Sequence, residues 1–210
     1  MDVLLEGGAV LRDRDYTLIL DKSQSMSTSE PANGKSRWQL MQESTLALAA
    51  QCEQFDPDGI TVYLFADDFK RYDSTTTSKV AQIFQENQPS GKTKLAPALK
   101  DATDNYFERR ATERAKPNGE TIIVVTAGEV NNPLAVKQII IDTANQLEHD
   151  EELAISLIQV GANPEATEFF KVLDNELQGA GAKFDICNTI TLEHMGDMSL
   201  TDLLLNAIVD

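Results

Sequence analysis

The apolar residues YTLIL at positions 16–20 run directly into the polar pentapeptide DKSQS at positions 21–25. An apolar run of this length with polar neighbours is typical of a buried strand. Just past its end, Asp21, Ser23 and Ser25 alternate, so that one turn offers three oxygen ligands. Hard oxygen donors with few charges are what Mg²⁺ prefers in proteins. The same short pattern also arises by chance, so its meaning depends on its place in the fold.

Apolar runs and amphipathic stretches alternate along the rest of the chain. Runs rich in Val, Ile, Leu and Thr predict strands at residues 16–20, 60–66, 69–72, 121–126, 154–160 and 184–189. Several are almost continuously apolar, as expected when helices cover both faces of a parallel sheet. Only Asp67 and Asp68 separate the second run from the third. Because so short a link cannot hold a crossover helix, these two strands should form an antiparallel hairpin at a sheet edge.

Apolar residues at helical spacing predict a helix in each remaining stretch. The stripes lie at residues 38–55, 80–84, 95–106, 136–147, 169–177 and 200–208, and the fifth consists of Phe169, Leu173 and Leu177, with glycines at 179 and 181 ending the helix. The loops are too short to link separate domains. We therefore predict an N-terminal arm at residues 1–14 and one α/β domain at residues 15–210. This domain should be a doubly wound, mostly parallel six-stranded sheet with one antiparallel edge strand and helices on both faces.

The chain is strongly acidic. Its 210 residues carry a formal net charge of -16, which disfavours nucleic acid and anionic membranes as partners. The first residues lack the basic and apolar regions of a secretory signal, and no run of about 18 apolar residues predicts a membrane-spanning helix. We therefore expect a cytoplasmic protein. The 2 cysteines and 2 histidines have the spacing of neither a zinc site nor a disulfide framework.

Three loops are expected to meet at one edge of the sheet. Open α/β sheets bind ligands beyond the carboxyl ends of their strands, where the winding reverses direction. In the usual strand order, the strands at 16–20 and 121–126 flank that point. Residues 21–25 leave the first strand, residues 127–129 leave the second, and SGKT at positions 90–93 precedes the third helix. Two of these three loops offer oxygen ligands.

Taken together, the three motifs resemble the von Willebrand factor type A (vWA) domain. The resemblance comprises a strand followed by D-x-S-x-S-M, then G-x-T before L-A-P-A-L and a helix, then a strand that ends in T-x-G-E. It covers residues 15–210 in order and spacing, and is closer to the cytosolic, bacterial-type members than to the secreted adhesive ones. It implies a metal-ion-dependent adhesion site (MIDAS) for Mg²⁺ or Mn²⁺ built from Asp21, Ser23, Ser25 and Thr93. It also implies a protein partner that often supplies an acidic residue to the metal.

Two positions depart from the family pattern. Gln24 stands where glycine is common, but its side chain is not a ligand. Ala127 stands where the family usually has a second aspartate. A divalent cation that faces one carboxylate instead of two loses a large Coulombic attraction, so we predict weakened Mg²⁺ binding. Glu129 lies two residues further along the turn, and we expect its side chain to point elsewhere.

The loops of the predicted site carry more cationic than anionic side chains. The cations are Lys22, Lys35, Arg37, Lys92 and Lys94, and the anions are Asp21, Glu30 and Glu129. Such a patch would attract a partner's carboxylate to an otherwise acidic protein. Lysines that simply populate solvated loops explain the same pattern equally well.

Enzymatic functions are disfavoured by missing residues. The motif at 90–93 is not a P-loop, because Glu86 stands where the first glycine is needed. A phosphatase that uses Asp21 as its nucleophile would have a second aspartate where Ser23 stands. No G-x-S-x-G elbow is present, and no general base is evident near the strand ends. A phosphatase or nucleotide hydrolase that uses Asp21 is therefore the less favoured interpretation.

Two non-enzymatic functions remain open. In the first, the chain is a protein-interaction module in which Mg²⁺ bridges the site to an acidic residue of a partner. In the second, it is a metal-independent scaffold that keeps a degenerate site and binds through its helices or its N-terminal arm. Ala127 favours the second interpretation without excluding the first.

Overall fold

The computed structural model describes residues 9–31, 34–195 and 198–208. Within these ranges one sheet contains β1 (Asp15–Asp21), β2 (Ile60–Phe65), β3 (Phe69–Thr75), β4 (Glu120–Thr126), β5 (Leu153–Gln159) and β6 (Cys187–Thr191). The strand order is β3-β2-β1-β4-β5-β6. All neighbouring pairs are parallel except β2 and β3, which form the antiparallel hairpin at one edge. The predicted fold class is confirmed, and the winding reverses between β1 and β4.

Helices cover both faces of this sheet. They are α1 (Arg37–Phe55), α2 (Thr77–Glu86), α3 (Leu95–Ala111), α4 (Pro133–Gln146), α5 (Pro164–Asn175), α6 (Leu192–Met195) and α7 (Leu200–Asn206). Several begin at side-chain caps: Ser36 and Gln39 form a capping box at α1, and Asn132 and Asn163 cap α4 and α5. Such caps satisfy backbone N–H groups that the first turn leaves without partners. Each helix in the described ranges is too short or too polar to span a bilayer.

The core is divided into two layers by the sheet. Successive strand residues point to opposite faces, so Leu18 and Leu20 pack in one layer while Ile19 packs in the other. Every residue of β4 and β5 is buried. This two-sided burial explains why these strands have almost continuous apolar sequences instead of alternating ones.

Several predicted elements differ from the structure. Strand β3 ends at Thr75, three residues beyond its predicted end, and the short helix α6 was not predicted. Strand β6 begins at Cys187, three residues later than predicted, because Phe184 packs against the core beside the sheet before the chain joins β5. Helix α5 ends at Asn175, before the glycines that were expected to stop it. Its buried aromatic residue is Phe170, with Phe169 only partly buried. Adjacent aromatic residues satisfy helical spacing almost equally well, and only packing selects one of them.

The described part of the predicted N-terminal arm packs against the domain. Leu11 is fully buried, and its carbonyl accepts a hydrogen bond from the Tyr16 hydroxyl at 2.7 Å. The Arg14 guanidinium is also fully buried and donates to the carbonyls of Glu120 and Glu151 at 2.7 and 2.8 Å. Burial lowers the pKa of Arg14 to about 10. These contacts hold residues 9–14 at the amino ends of β4 and β5. Residues 1–8 lie outside the described ranges.

Candidate metal centre

Backbone hydrogen bonds join the three predicted loops beyond the carboxyl ends of β1 and β4. Ser90 donates its N–H to the carbonyl of Lys22 at 2.7 Å, and Gln24 donates to the carbonyl of Gly91 at 2.9 Å. The third loop is attached to the second, since the N–H of Asn131 donates to the carbonyl of Thr93 at 3.0 Å. The predicted convergence is therefore produced by direct main-chain bonding between the loops.

Three hydroxyl groups meet where these loops join. Ser23 Oγ lies 2.9 Å from Ser25 Oγ and accepts a hydrogen bond from Thr93 Oγ1 at 3.0 Å. We name Ser23, Ser25 and Thr93 the hydroxyl cluster. Ser23 and Thr93 are buried, whereas Ser25 is partly exposed. The cluster thus has a fixed interior side and one side that faces solvent.

The spacing within the hydroxyl cluster fits a small hexacoordinate cation. Mg²⁺ binds oxygen at about 2.0–2.1 Å in octahedral geometry, so adjacent ligand oxygens lie about 2.8–3.0 Å apart. The two distances from Ser23 Oγ have this length. Because each hydroxyl retains lone pairs for coordination, the donors fit Mg²⁺ or Mn²⁺ in both type and spacing.

Asp21 lies behind the hydroxyl cluster with both carboxylate oxygens in use. Oδ1 accepts from the N–H of Ser23, and Oδ2 accepts from the hydroxyl of Thr126, each at 2.7 Å. The side chain is fully buried, and this desolvation raises the pKa of Asp21, although the hydrogen bonds from Thr126 and Ser23 oppose the rise. Asp21 is therefore placed to orient the first loop and to supply negative charge from behind the hydroxyls.

Thr126 is the first residue of the T-x-G-E motif, and the sequence analysis assigned no role to its side chain. Its hydroxyl donates to Asp21 Oδ2 and accepts from the N–H of Gly128 at 3.0 Å. One hydroxyl thus connects the first loop to the third. The available signal was a threonine at the last position of a strand whose preceding residues are Ile and Val.

Gly128 allows the third loop to approach α5 closely. Its φ of +83° lies in the left-handed region, and a Cβ at this position would lie 2.5 Å from the Cβ of Ala166. Any larger residue would have to displace either the loop or the helix. This glycine therefore sets the position of the turn that follows Thr126.

Ala127 and Glu129 explain why the site has a low negative charge. The backbone of Ala127 lies beside Asp21, and its buried methyl side chain supplies no second carboxylate there. The Glu129 side chain accepts a hydrogen bond from Asn163 Nδ2 at 3.0 Å and lies 3.9 Å from the Arg37 guanidinium. It is thus bonded toward the first turn of α5.

The cationic patch expected from the sequence is largely neutralised by ion pairs. Lys35 pairs with Glu43 at 2.6 Å, and Lys94 lies 3.4 Å from Asp67. Arg37 is 8% exposed and pairs with Glu30 at 2.6 Å. The count based on sequence missed Glu43 and Asp67 because they come from α1 and the hairpin. The net positive electrostatic potential over the predicted site is therefore weak.

A second group of potential ligands lies elsewhere on the chain. Glu148, His149 and Glu152 could place three ligand atoms within 4.8 Å of one another. Two of these carboxylates pair with Arg110 at 3.0 Å each. One guanidinium thus offsets part of their negative charge, and the group is described as a surface ion-pair cluster.

The chain belongs to the von Willebrand factor type A domain family. The family model described as von Willebrand factor type A domain matches residues 16–130, which include all three loops that meet beyond the ends of β1 and β4. Domains of this family are often protein-interaction modules with MIDAS metal sites. No curated protein sequence matches the chain significantly.

Two solved structures share the fold at low sequence identity. A mutant of the PilB minor pilin from Streptococcus sanguinis has a TM-score of 0.62 at 10% identity; the match covers 91% of this chain and 61% of the pilin. The manganese-loaded TRAP protein of Plasmodium vivax has a TM-score of 0.54 at 16% identity, with 88% and 71% of the two chains covered. This chain therefore spans less than two thirds of the pilin structure.

Proposed function

We propose that this vWA domain is a protein-interaction module whose hydroxyl cluster binds Mg²⁺ or Mn²⁺ weakly and, through the ion, a carboxylate of a partner protein. The observation that carries the proposal is the 3.0 Å contact between Thr93 Oγ1 and Ser23 Oγ. It places hydroxyls from two separate loops at the spacing of adjacent ligands in an octahedral site. The manganese-loaded vWA-type neighbour supports divalent metal binding in this fold.

Weak binding of the ion alone follows from the charge behind the cluster. Asp21 supplies one carboxylate, whose oxygens already accept hydrogen bonds from Ser23 and Thr126. Ala127 supplies none, and Glu129 is bonded to Asn163. With neutral hydroxyls as the nearest donors, the attraction that offsets dehydration of a divalent ion is small.

The missing charge makes the partner's carboxylate important for metal binding. A carboxylate of the partner would contribute both a ligand and the negative charge that Ala127 lacks. Because coupling between two ligands is reciprocal, the partner would raise the affinity for metal by the same factor by which metal raises the affinity for the partner. The module would therefore hold metal mainly when a partner is bound.

The alternative function is a metal-independent scaffold with a degenerate site. It is favoured by the alanine at position 127, which packs in the core and supplies no carboxylate, so that among the described residues Asp21 is the one carboxylate behind the hydroxyls. An enzymatic role for Asp21 is not favoured, because a buried carboxylate with both oxygens hydrogen-bonded is a poor nucleophile. For either binding function, a cytoplasmic location remains part of the proposal.

Metal titration of the full chain tests the proposal. We expect calorimetry to give a Kd for Mg²⁺ on the order of 1 mM, and the electron paramagnetic resonance signal of free Mn²⁺ to fall when protein is added. Ser23→Ala should abolish both effects. Ser27→Ala is the matched control, because Ser27 is exposed in the same loop and bonds only to Gln24. Equal behaviour of wild type and Ser23→Ala would favour the scaffold.

A further inference from the structure

We propose that the groove between the third loop and α5 binds an apolar side chain and an adjacent basic residue of the same partner segment that presents its carboxylate to the metal. This inference rests on the function proposed above. We name this groove the α4–α5 groove. Its volume is about 520 Å³. Its lining consists of Gly128, Glu129, Val130, Pro133, Asn163, Glu165, Ala166 and Phe169.

The α4–α5 groove is continuous with the hydroxyl cluster through the backbone. The N–H of Gly128 bonds to Thr126, which itself holds Asp21. At the other end of the loop, Asn131 donates its N–H to the carbonyl of Thr93. The loop that lines the groove is thus bonded directly to the loop that carries Thr93, and we infer that one extended partner segment contacts both.

The apolar character of the surface is greatest at the start of α4. Leu134 follows the groove residue Pro133 and is 77% exposed. Among the described residues, Val10 at 36% is the other exposed large apolar side chain. Val130 and Phe169 in the groove are only partly buried. An exposed leucine beside a partly apolar groove offers apolar area that a partner's apolar side chain would remove from water.

The charged residues of the groove identify the chemistry of the occupant. Glu129 and Glu165 are both exposed. The nearby cation, Arg37, is buried, pairs with Glu30 at 2.6 Å and lies 3.9 Å from Glu129, so its single charge is shared between these two carboxylates. Two accessible carboxylates on the lining complement a lysine or arginine. The occupant is therefore a segment of a partner protein with an acidic, an apolar and a basic residue.

A second groove of about 520 Å³ lies on the opposite side of the hydroxyl cluster. Its charged lining contains both signs: Lys22, Asp67, Asp68 and Lys70. No exposed large apolar side chain adjoins it among the residues that the structure describes. These features do not select one kind of occupant, so we assign the partner to the α4–α5 groove.

Selection of binding peptides by the full chain tests this assignment. The probe is a displayed library of random 12-residue peptides, selected in the presence of Mg²⁺ and then synthesised. We expect the selected sequences to combine an acidic, an apolar and a basic residue. In ¹⁵N spectra of the chain, the peptides should shift the amides of residues 128–135 and 163–169.

Matched variants identify which part of the surface each peptide uses. Leu134→Ser should weaken binding about tenfold, as expected for an apolar anchor, whereas Val10→Ser should leave it unchanged. Glu165→Gln should weaken peptide binding severalfold. Peptides selected on this variant should contain fewer basic residues than those selected on wild type. Glu168→Gln is its control, because Glu168 is exposed on the same helix outside the groove lining.

The outcomes distinguish this inference from the proposed function. Binding that is sensitive to EDTA and Ser23→Ala but not to Leu134→Ser would overturn the groove and leave the metal bridge intact. Binding that is sensitive to Leu134→Ser but not to EDTA would support the groove and overturn the bridge. Failure to select any peptide, or spectral shifts confined to residues 67–72, would also overturn the assignment.

Discussion

Thr93 Oγ1 donates a hydrogen bond to Ser23 Oγ over 3.0 Å, although 70 positions separate the two residues in the chain. Neither residue is part of a strand or helix of the fold. Their contact depends on Ser90 and Gln24, whose N–H groups tie the second loop to the first. The hydroxyl cluster is therefore a product of loop-to-loop bonding above the sheet. Substitutions that alter this bonding or the nearby charge should change metal binding in predictable ways.

Restoring the second carboxylate should strengthen metal binding. We expect Ala127→Asp to raise the affinity for Mg²⁺ at least tenfold, about 1.4 kcal/mol, because a second charge then faces the ion. In EDTA the same variant should unfold at a lower temperature than wild type, since it buries a second carboxylate near Asp21. Calorimetry and thermal unfolding measure the two effects. Ala162→Asp adds the same charge at an exposed position and serves as the control. An unchanged Mg²⁺ affinity in Ala127→Asp would contradict the proposal that the hydroxyl cluster binds the metal.

Removing the Thr126 hydroxyl should destabilise the domain. Thr126→Val leaves Asp21 Oδ2 without its donor and the N–H of Gly128 without its acceptor. We expect a loss of about 2–4 kcal/mol in the free energy of unfolding, measured with urea, because both groups are buried. Thr45→Val is the matched control, since the buried Thr45 hydroxyl has no hydrogen-bond partner. That control should be neutral or stabilising. Similar losses in both variants would show that the hydroxyl of Thr126 has no special role.

The ion pair between Arg109 and Glu120 should make stability depend on pH. Glu120 is 1% exposed and pairs with Arg109 at the amino ends of the strands. Burial raises the pKa of Glu120, and the charge of Arg109 opposes the rise. A raised carboxyl pKa favours the folded state below the unfolded pKa of about 4.3, and this contribution is lost as the pH rises through the folded pKa.

Arg109→Met removes that opposing charge and should raise the pKa of Glu120 further. We expect it to cost about 3–5 kcal/mol at pH 8, because it leaves a buried carboxylate without its cation, and clearly less at pH 5. Arg114→Met is the control, since Arg114 and its partner Glu108 are exposed; its effect should be below about 1 kcal/mol. Urea unfolding at both pH values measures the difference. A cost for Arg109→Met that does not change with pH would contradict the assignment.

Glu53 should stabilise α2 at neutral pH and not in acid. Its carboxylate accepts hydrogen bonds from the N–H and the hydroxyl of Thr77 at 2.9 and 2.5 Å. The hydroxyl bond, followed by the backbone bond, lowers the pKa of Glu53. The resulting stability is present above the unfolded pKa of about 4.3 and is lost as the pH falls through the lower folded pKa.

Glu53→Gln should therefore reduce stability at pH 7 by less than about 1 kcal/mol, because solvent screens the group, and should have no effect once wild-type Glu53 is protonated. Thermal unfolding from pH 7 to pH 2 tests this. Glu43→Gln is the control, because the exposed Glu43 pairs with Lys35 and does not bond to a helix terminus. An effect of Glu53→Gln that grows toward low pH would contradict the prediction.

Most of the fold could be predicted from local patterns in the chain. Apolar runs located every strand, and the two-residue link at Asp67 and Asp68 correctly predicted the antiparallel hairpin. The prediction failed where two residues fitted the helical spacing almost equally well, as for Phe169 and Phe170 in α5. The start of β6 was also missed, because Phe184 is as apolar as a strand residue but packs beside the sheet.

The amino-acid sequence alone determined the alternating α/β order, the two-sided burial of the central strands and the identity of the hydroxyl residues, because periodicity and residue type act over a few positions. Tertiary structure decided which hydroxyls touch, that Asp21 has both oxygens occupied, that Thr126 joins two loops, and that Glu129 bonds to Asn163. These features depend on bonds between residues far apart in the chain. Their distances are set by how the strands and loops pack, and no local pattern encodes them.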